Sequence, residues 1–189
     1  MGELPSRDEA LAMLRSVGCP PGVIKHCERV ADLALSLARA CLRAGLEVDL
    51  ELVEVGALLH DMGRARTHSI EHVFLGAEMA RELGLPDEVV RIILTHAGGV
   101  RPELAEAFGW PPGDYGPEGI EEKIVAYADK LVRGPSVVPF EEALRALEEE
   151  LGPDHPAVGN LAKIHEELGA FLGEALGGAR PAGEDIRSL

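Results

Sequence analysis

Apolar residues recur at helical spacing along most of this chain, and no stretch of any length alternates as a half-buried strand requires. The longest run covers residues 22–44, with Val23, His26, Val30, Leu33, Leu37 and Cys41 along one stripe and Gly45 at its end. A shorter helix is predicted over residues 8–16, stopped by Gly18-Cys19-Pro20-Pro21-Gly22. Asp49 is placed to cap the segment LELVEVGALLH, whose apolar face includes Leu52, Val55 and Leu59. Residues 62–70 break the pattern, and helices resume at about 71–84 and 87–97. Residues 119–133 are again strongly helical, and two amphipathic helices at about 139–151 and 156–176 complete the series. The expected class is all-α: a compact helical bundle with two additional C-terminal helices. One domain spans 1–177, with a core at about 22–133, and residues 178–189 read as a disordered tail after Gly177-Gly178.

With 189 residues, 46% of them apolar, the chain can bury a substantial core. It contains no run of about 18 uncharged apolar residues, so no membrane span is expected. Its first residues are acidic where a signal peptide carries basic ones, and the expected location is cytoplasmic. The three cysteines, Cys19, Cys27 and Cys41, are odd in number and form no C-x-x-C pair, which favours small buried thiols over disulfides or a thiolate zinc site. A net charge of −15 argues against extensive nucleic-acid or anionic-membrane binding. An anionic substrate would need metal and a few local cations to hold it against that field.

Five of the seven histidines fall between positions 26 and 96. His26 lies on the stripe of the long helix. The pair His60-Asp61 ends a second stripe where the backbone can open, letting neighbouring side chains turn toward one point. His96 ends a third, VVRIILTH, and Asp129 interrupts the apolar run IVAYADKLV. A buried carboxylate without a partner is costly. Four helices therefore each place a metal-competent group where apolar residues belong. Imidazole and carboxylate together suit iron, manganese, nickel or zinc. His155 and His165 fall in the C-terminal helices and read as surface residues.

The ordered set His26, His60-Asp61 and Asp129, with the local wording LLHDMGR and AYADKL, resembles the HD-domain superfamily of metal-dependent phosphohydrolases over roughly residues 22–133. The resemblance implies a helical HD-domain-like fold in which His26, His60, Asp61 and Asp129 hold one divalent metal. His72 and His96 resemble the additional ligands of dinuclear members. Asp61 would then bridge to a second ion. The alternative keeps one metal, with His72 and His96 contacting substrate.

The implied activity is phosphomonoester or phosphodiester hydrolysis of a small nucleotide-like substrate by a metal-activated hydroxide. Arg64 is the expected partner for phosphate and leaving-group charge, alongside Asp61 and Lys130 in catalysis. Arg66 and His68 are further substrate contacts. The segment from Gly98 to Gly119, rich in Gly and Pro, is a candidate lid, and Trp110 or Tyr115 within it could stack on a base. Three other readings compete: a di-iron oxygenase using the same six ligands, a non-catalytic nucleotide-binding regulatory module, and a zinc peptidase suggested by His68-Ser69-Ile70-Glu71-His72. The peptidase needs both histidines on one helix and leaves the other ligands unexplained. A homodimer is a further possibility that the sequence leaves open.

Overall fold

The stripes become helices in the computed structural model, which describes residues 3–113 and 115–172. In chain order these are α1 (Arg7–Ser16), α2 (Pro21–Arg43), α3 (Leu50–Leu59), a 3-10 turn (Met62–Ala65), α4 (His72–Glu82), α5 (Asp87–Thr95), α6 (Pro102–Ala107), α7 (Ile120–Leu131), α8 (Phe140–Leu151) and α9 (Pro156–Leu172). The expected all-α class holds. One addition is a minimal hairpin of β1 (Val132–Arg133) and β2 (Ser136–Val137), turned at Gly134-Pro135. It replaces the last turn of the helix predicted to reach residue 133, because Gly134 takes a left-handed φ of 58° and Pro135 offers no N–H to continue the helix. The predicted tail at 178–189, and the end of the helix expected to reach 176, lie outside the described residues.

Local chemistry sets the helix starts. Ser6 and Glu9 cap α1 reciprocally, and the Asp49 carboxylate accepts the Glu51 and Leu52 amides at the start of α3. Pro21 occupies the first turn of α2, where its missing N–H costs nothing. Helix α2 then lies against α3 and α7, α3 against α5, and α4 against α5, while α8 and α9 pack on each other and α9 reaches back to α2 and α7. The fully buried line on α2 runs through Cys27, Val30, Ala34, Ala38 and Cys41. His26 therefore sits on the shoulder of that face, half-buried, and not at its centre. The alanines leave room for close helix approach.

Two glycines permit the approach that shapes the site. A Cβ on Gly63 would lie 1.9 Å from the carbonyl oxygen of His72 and 2.8 Å from the Gly76 nitrogen. The 3-10 turn after Asp61 is thus pressed directly onto the first turns of α4, which brings His72 beside Asp61. At Gly56 a Cβ would lie 2.5 Å from Ile92, so α3 and α5 meet with similar intimacy. Gly63→Ala should lower stability by about 1–3 kcal/mol, since the obstructing atom is backbone and cannot swing aside. Thermal melting and bound-metal analysis of the variant should show both a lower Tm and reduced metal content.

Candidate metal centre

Six side chains from five helical elements meet at the inner ends of α3, α5 and α7. His60 follows the last residue of α3 in helical conformation, and Asp61 departs to φ −100°, ψ 16°. That departure turns two consecutive side chains to one point, as the sequence suggested. His72 opens α4, His96 closes α5, and His26 and Asp129 project from α2 and α7.

Contacts run continuously through the group. His26 Nε2 lies 2.9 Å from Asp129 Oδ1, and His60 Nε2 lies 3.4 Å from that same oxygen. His60 Nε2 is 3.7 Å from Asp61 Oδ2. Asp61 Oδ1 is 3.1 Å from His72 Nε2 and 3.5 Å from His96 Nε2. The ligand atoms of His26, His60 and Asp129 lie within 4.8 Å of one another, as do those of His60, Asp61 and His96.

Three histidines are fixed by the same device. The Nδ1–H of His60 donates to the Ala57 carbonyl at 2.6 Å, that of His72 to Ser69 at 2.7 Å, and that of His96 to Ile93 at 2.7 Å. A carbonyl can only accept, so each ring carries a proton on Nδ1 and turns its Nε2 inward, a lone pair on any ring that is neutral. The His72 and His96 Nε2 atoms then stand 3.1 Å apart. Two lone pairs at that distance repel unless a proton or a cation lies between them. His60 Nε2 and Asp61 Oδ1 are also fully buried without a hydrogen-bond partner among the described residues. Orphaned donor atoms of this kind cost free energy in a core unless an ion uses them. A divalent transition metal fits the donor set, because every inward atom is an imidazole nitrogen or a carboxylate oxygen. The carbonyl-bound Nδ1–H groups are the outer partners that orient such ligands.

The electrostatics agree. Burial alone would push the Asp61 carboxyl up, but His60, His72 and His96 hold it far below the usual carboxylate range. Asp129 is likewise held low against burial by Lys130, His26 and His60. Burial opposes the charge on His60, yet the surrounding Cys27, Asp61 and Asp129 outweigh it and raise its pKa well above an ordinary imidazole. His96 is pushed down to about 4 by burial and by its His60 and His72 neighbours.

The cluster forms one end of a cavity of about 1050 Å³. His26, His72, His96 and Asp129 line it, while His60 and Asp61 lie buried outside its lining. Arg64 and Lys130 reach the same space and each already touches a carboxylate. The Arg64 Nε donates to Asp61 Oδ2 at 2.7 Å, and the Lys130 ammonium donates to Asp129 Oδ2. His68 is exposed at the cavity wall, whereas Arg66 is exposed and does not line it. Since α4 begins at His72, His68 is not on its helix and the H-x-x-E-H peptidase geometry is absent.

Three sequence expectations need correction. Trp110 and Tyr115 do not face the cavity; they pack around buried Phe74 at centroid distances of 5.9 Å each, and Arg81 covers Trp110 at 4.4 Å. His165 is not a surface group: it stacks on Phe140 at 3.6 Å and its Nδ1 accepts from the Tyr127 hydroxyl at 2.6 Å. His155, expected on the surface, is partly buried and lines the cavity. Among the features the sequence did not announce, Glu122 meets Thr95 at 3.1 Å and Arg91 at 3.2 Å. That bridge ties α5 to α7 and so sets His96 relative to Asp129. A threonine beside a ligand histidine was its only trace in the sequence.

Comparison with known proteins agrees with the geometry. Residues 23–134 match the HD domain family. The chain belongs to that family. Among relatives of this HD domain, an uncharacterised protein of Methanocaldococcus jannaschii is 42% identical over 166 residues, covering 87% of this chain and 98% of that one. A protein named tRNA (cytidine(56)-2'-O)-methyltransferase from Picrophilus torridus is 37% identical over 92% of this chain, which spans only 49% of its length. A ribonuclease Y of Acidothermus cellulolyticus is 37% identical over 59% of this chain and 23% of its own. Among solved structures, the HD domain of the L. monocytogenes phosphodiesterase PgpH in complex with cyclic-di-AMP superposes with a TM-score of 0.54. It is 18% identical, with 91% of this chain and 98% of that one covered, a likeness of fold.

Because His60 holds a proton well above the ordinary imidazole range, a metal ion must expel it. Calorimetric titration of the metal-free HD domain with Mn²⁺ at pH 7, in buffers of different ionisation heat, should show release of about one proton. Affinity should weaken as pH falls and keep rising above the usual histidine range. A binding curve independent of pH between 6 and 8 would contradict the assignment of His60 as a ligand.

Proposed function

We propose that this HD domain is a metal-dependent phosphohydrolase, cleaving a phosphomonoester or phosphodiester bond of a small nucleotide-like substrate. The observation that carries the reading is the facing pair of Nε2 lone pairs on His72 and His96, shared with the buried Asp61 carboxylate. In it, His26, His60, Asp61 and Asp129 hold one ion, and Asp61, His72 and His96 hold a second. Divalent ions so placed supply Lewis acidity and lower the pKa of coordinated water.

The chain's own residues supply the remainder. Arg64 has a planar, permanently charged fork, one edge of which rests on Asp61. Its Nη1 also donates to the His68 carbonyl at 3.2 Å, and with the side chain about one-third exposed the remaining N–H groups can pair with phosphate oxygens. Lys130 stands over Asp129 and also reaches the His96 carbonyl at 3.4 Å, an anchored charge next to the place where the leaving oxygen gains charge. His68, exposed at the same wall, contacts the substrate beyond the phosphate. Arg66 contacts only substrate parts that extend outside the cavity.

Proteins similar to this one are named for action on phosphodiesters or on RNA, which fits a phosphoester substrate. The methyltransferase name belongs to proteins twice this chain's matched span, and we assign that chemistry to their remaining half.

A panel of phosphomonoesters and phosphodiesters, tested with Mn²⁺-loaded protein and phosphate or alcohol release as readout, should yield turnover that chelation abolishes. Arg64→Ala should lower kcat/KM by roughly 10²-fold while bound metal stays at the wild-type level. Asp61→Ala should lose metal and activity together. An active, metal-free Asp61→Ala protein would sink the assignment, as would oxygen-dependent turnover without phosphoester cleavage.

A further inference from the structure

The clustered histidines and aspartates contribute only part of the cavity lining. At about 1050 Å³ the space is at the upper end of what drug-sized ligands occupy, and more than a phosphoryl group needs. Its other walls combine apolar side chains with the charged Arg101, Arg133, Glu103 and Glu150. Val100 and Leu104 contribute from the segment around α6, and Ala143, Leu147 and Leu151 from α8. Helix α8 lies outside residues 23–134, the span that the HD family model matches.

The wall is built rather than fluid. Val100 is 1% exposed, and the Gly98 carbonyl just before it accepts from Asn160 Nδ2 of α9 at 2.8 Å. Gly98 itself lies against Ala157, with a φ of 86°. On the opposite element, Ala143, Leu147 and Leu151 follow at intervals of four and share one helical face. Leu151 remains 36% exposed, an apolar side chain on an open cavity. Polar groups flank these walls: Glu103 beside Leu104, Glu150 beside Leu151, and His155 just beyond α8.

We propose that this lobe receives a planar heteroaromatic ring of the substrate and that Leu104 and Leu147 determine specificity for it. The proposal rests on the phosphohydrolase reading above. A flat ring has two apolar faces for the leucine and valine walls and polar edges for Glu150 and His155. An alkyl chain would satisfy the apolar walls but would give the polar groups at their edges, Glu150 and His155 among them, no partner on the ligand.

The test pairs ring-bearing and ring-free phosphoesters on Mn²⁺-loaded full chain: adenosine monophosphate with glycerol phosphate, and the methyl diester of each, with decyl phosphate as the lipid-like probe. Leu104→Trp and Leu147→Trp each fill the lobe. Leu104 is the half-buried position, so its variant keeps the test alive if Leu147→Trp melts early. In both, KM for the ring-bearing ester should rise roughly 10-fold or more, with ring-free kinetics unchanged within about twofold. Equal loss on both ester types, no change on either, or a wild-type preference for decyl phosphate would each overturn the proposal. If wild-type protein cleaves none of the esters, the phosphohydrolase reading fails on its own. The lobe is then judged by equilibrium dialysis of free adenosine: binding by wild type that both variants lose supports it, and no binding to wild type overturns it.

Discussion

Everything around the metal centre depends on keeping anionic carboxylates and inward-facing lone pairs in a place that excludes water. The Asp61 carboxylate is almost fully buried, and three imidazoles are locked by backbone carbonyls so that their Nε2 atoms face it or one another. Without a cation such a cluster opposes folding. Here the protein brings cations of its own, Arg64 onto Asp61 and Lys130 onto Asp129, with the His60 proton as a third positive charge. The metal-free site is therefore partly neutralised from within. Two of the groups that compensate it, Arg64 and Lys130, also line the cavity.

Helix ends do much of the positioning. His60, His72 and His96 each stand at a terminus, where the ring can reach back three residues to a carbonyl. That reach explains why the three rings share one tautomer. Ala57 and Ile93 belong to last turns, whose carbonyls lack ladder partners, whereas the Ser69 carbonyl accepts from both the His72 ring and the His72 backbone N–H at 3.1 Å. Gly63 adds the last constraint by letting the turn after Asp61 lie directly on α4.

Most of this was legible in the sequence, for a physical reason. A His or Asp on an apolar helical stripe conflicts with its surroundings, and four such conflicts at His26, His60-Asp61, His96 and Asp129 have one common resolution. His72 carried no such conflict at the start of its helix and was found through family resemblance. What stayed hidden depends on contacts distant in the chain. Nothing near His165 in sequence shows that Phe140 and Tyr127 will cover it, so it read as a polar surface residue. Trp110 and Tyr115 looked available in a loop because Phe74, their anchor, lies more than thirty positions earlier. The hairpin at 132–137 was masked by strong helical periodicity running up to Gly134.

The distance in sequence between the clustered histidines and α8 has a consequence for how such proteins diversify. The metal-competent side chains lie between positions 26 and 129 and the α8 side chains at 143–151, and only the former would be held to the strict geometry of metal ligation. Ala143 and Leu147 are buried and tolerate only changes that keep the core packed, whereas Leu151, 36% exposed, is free to change in size and polarity. Descendants of one ancestral chain could thus exchange substrates while inheriting their reactive centre intact.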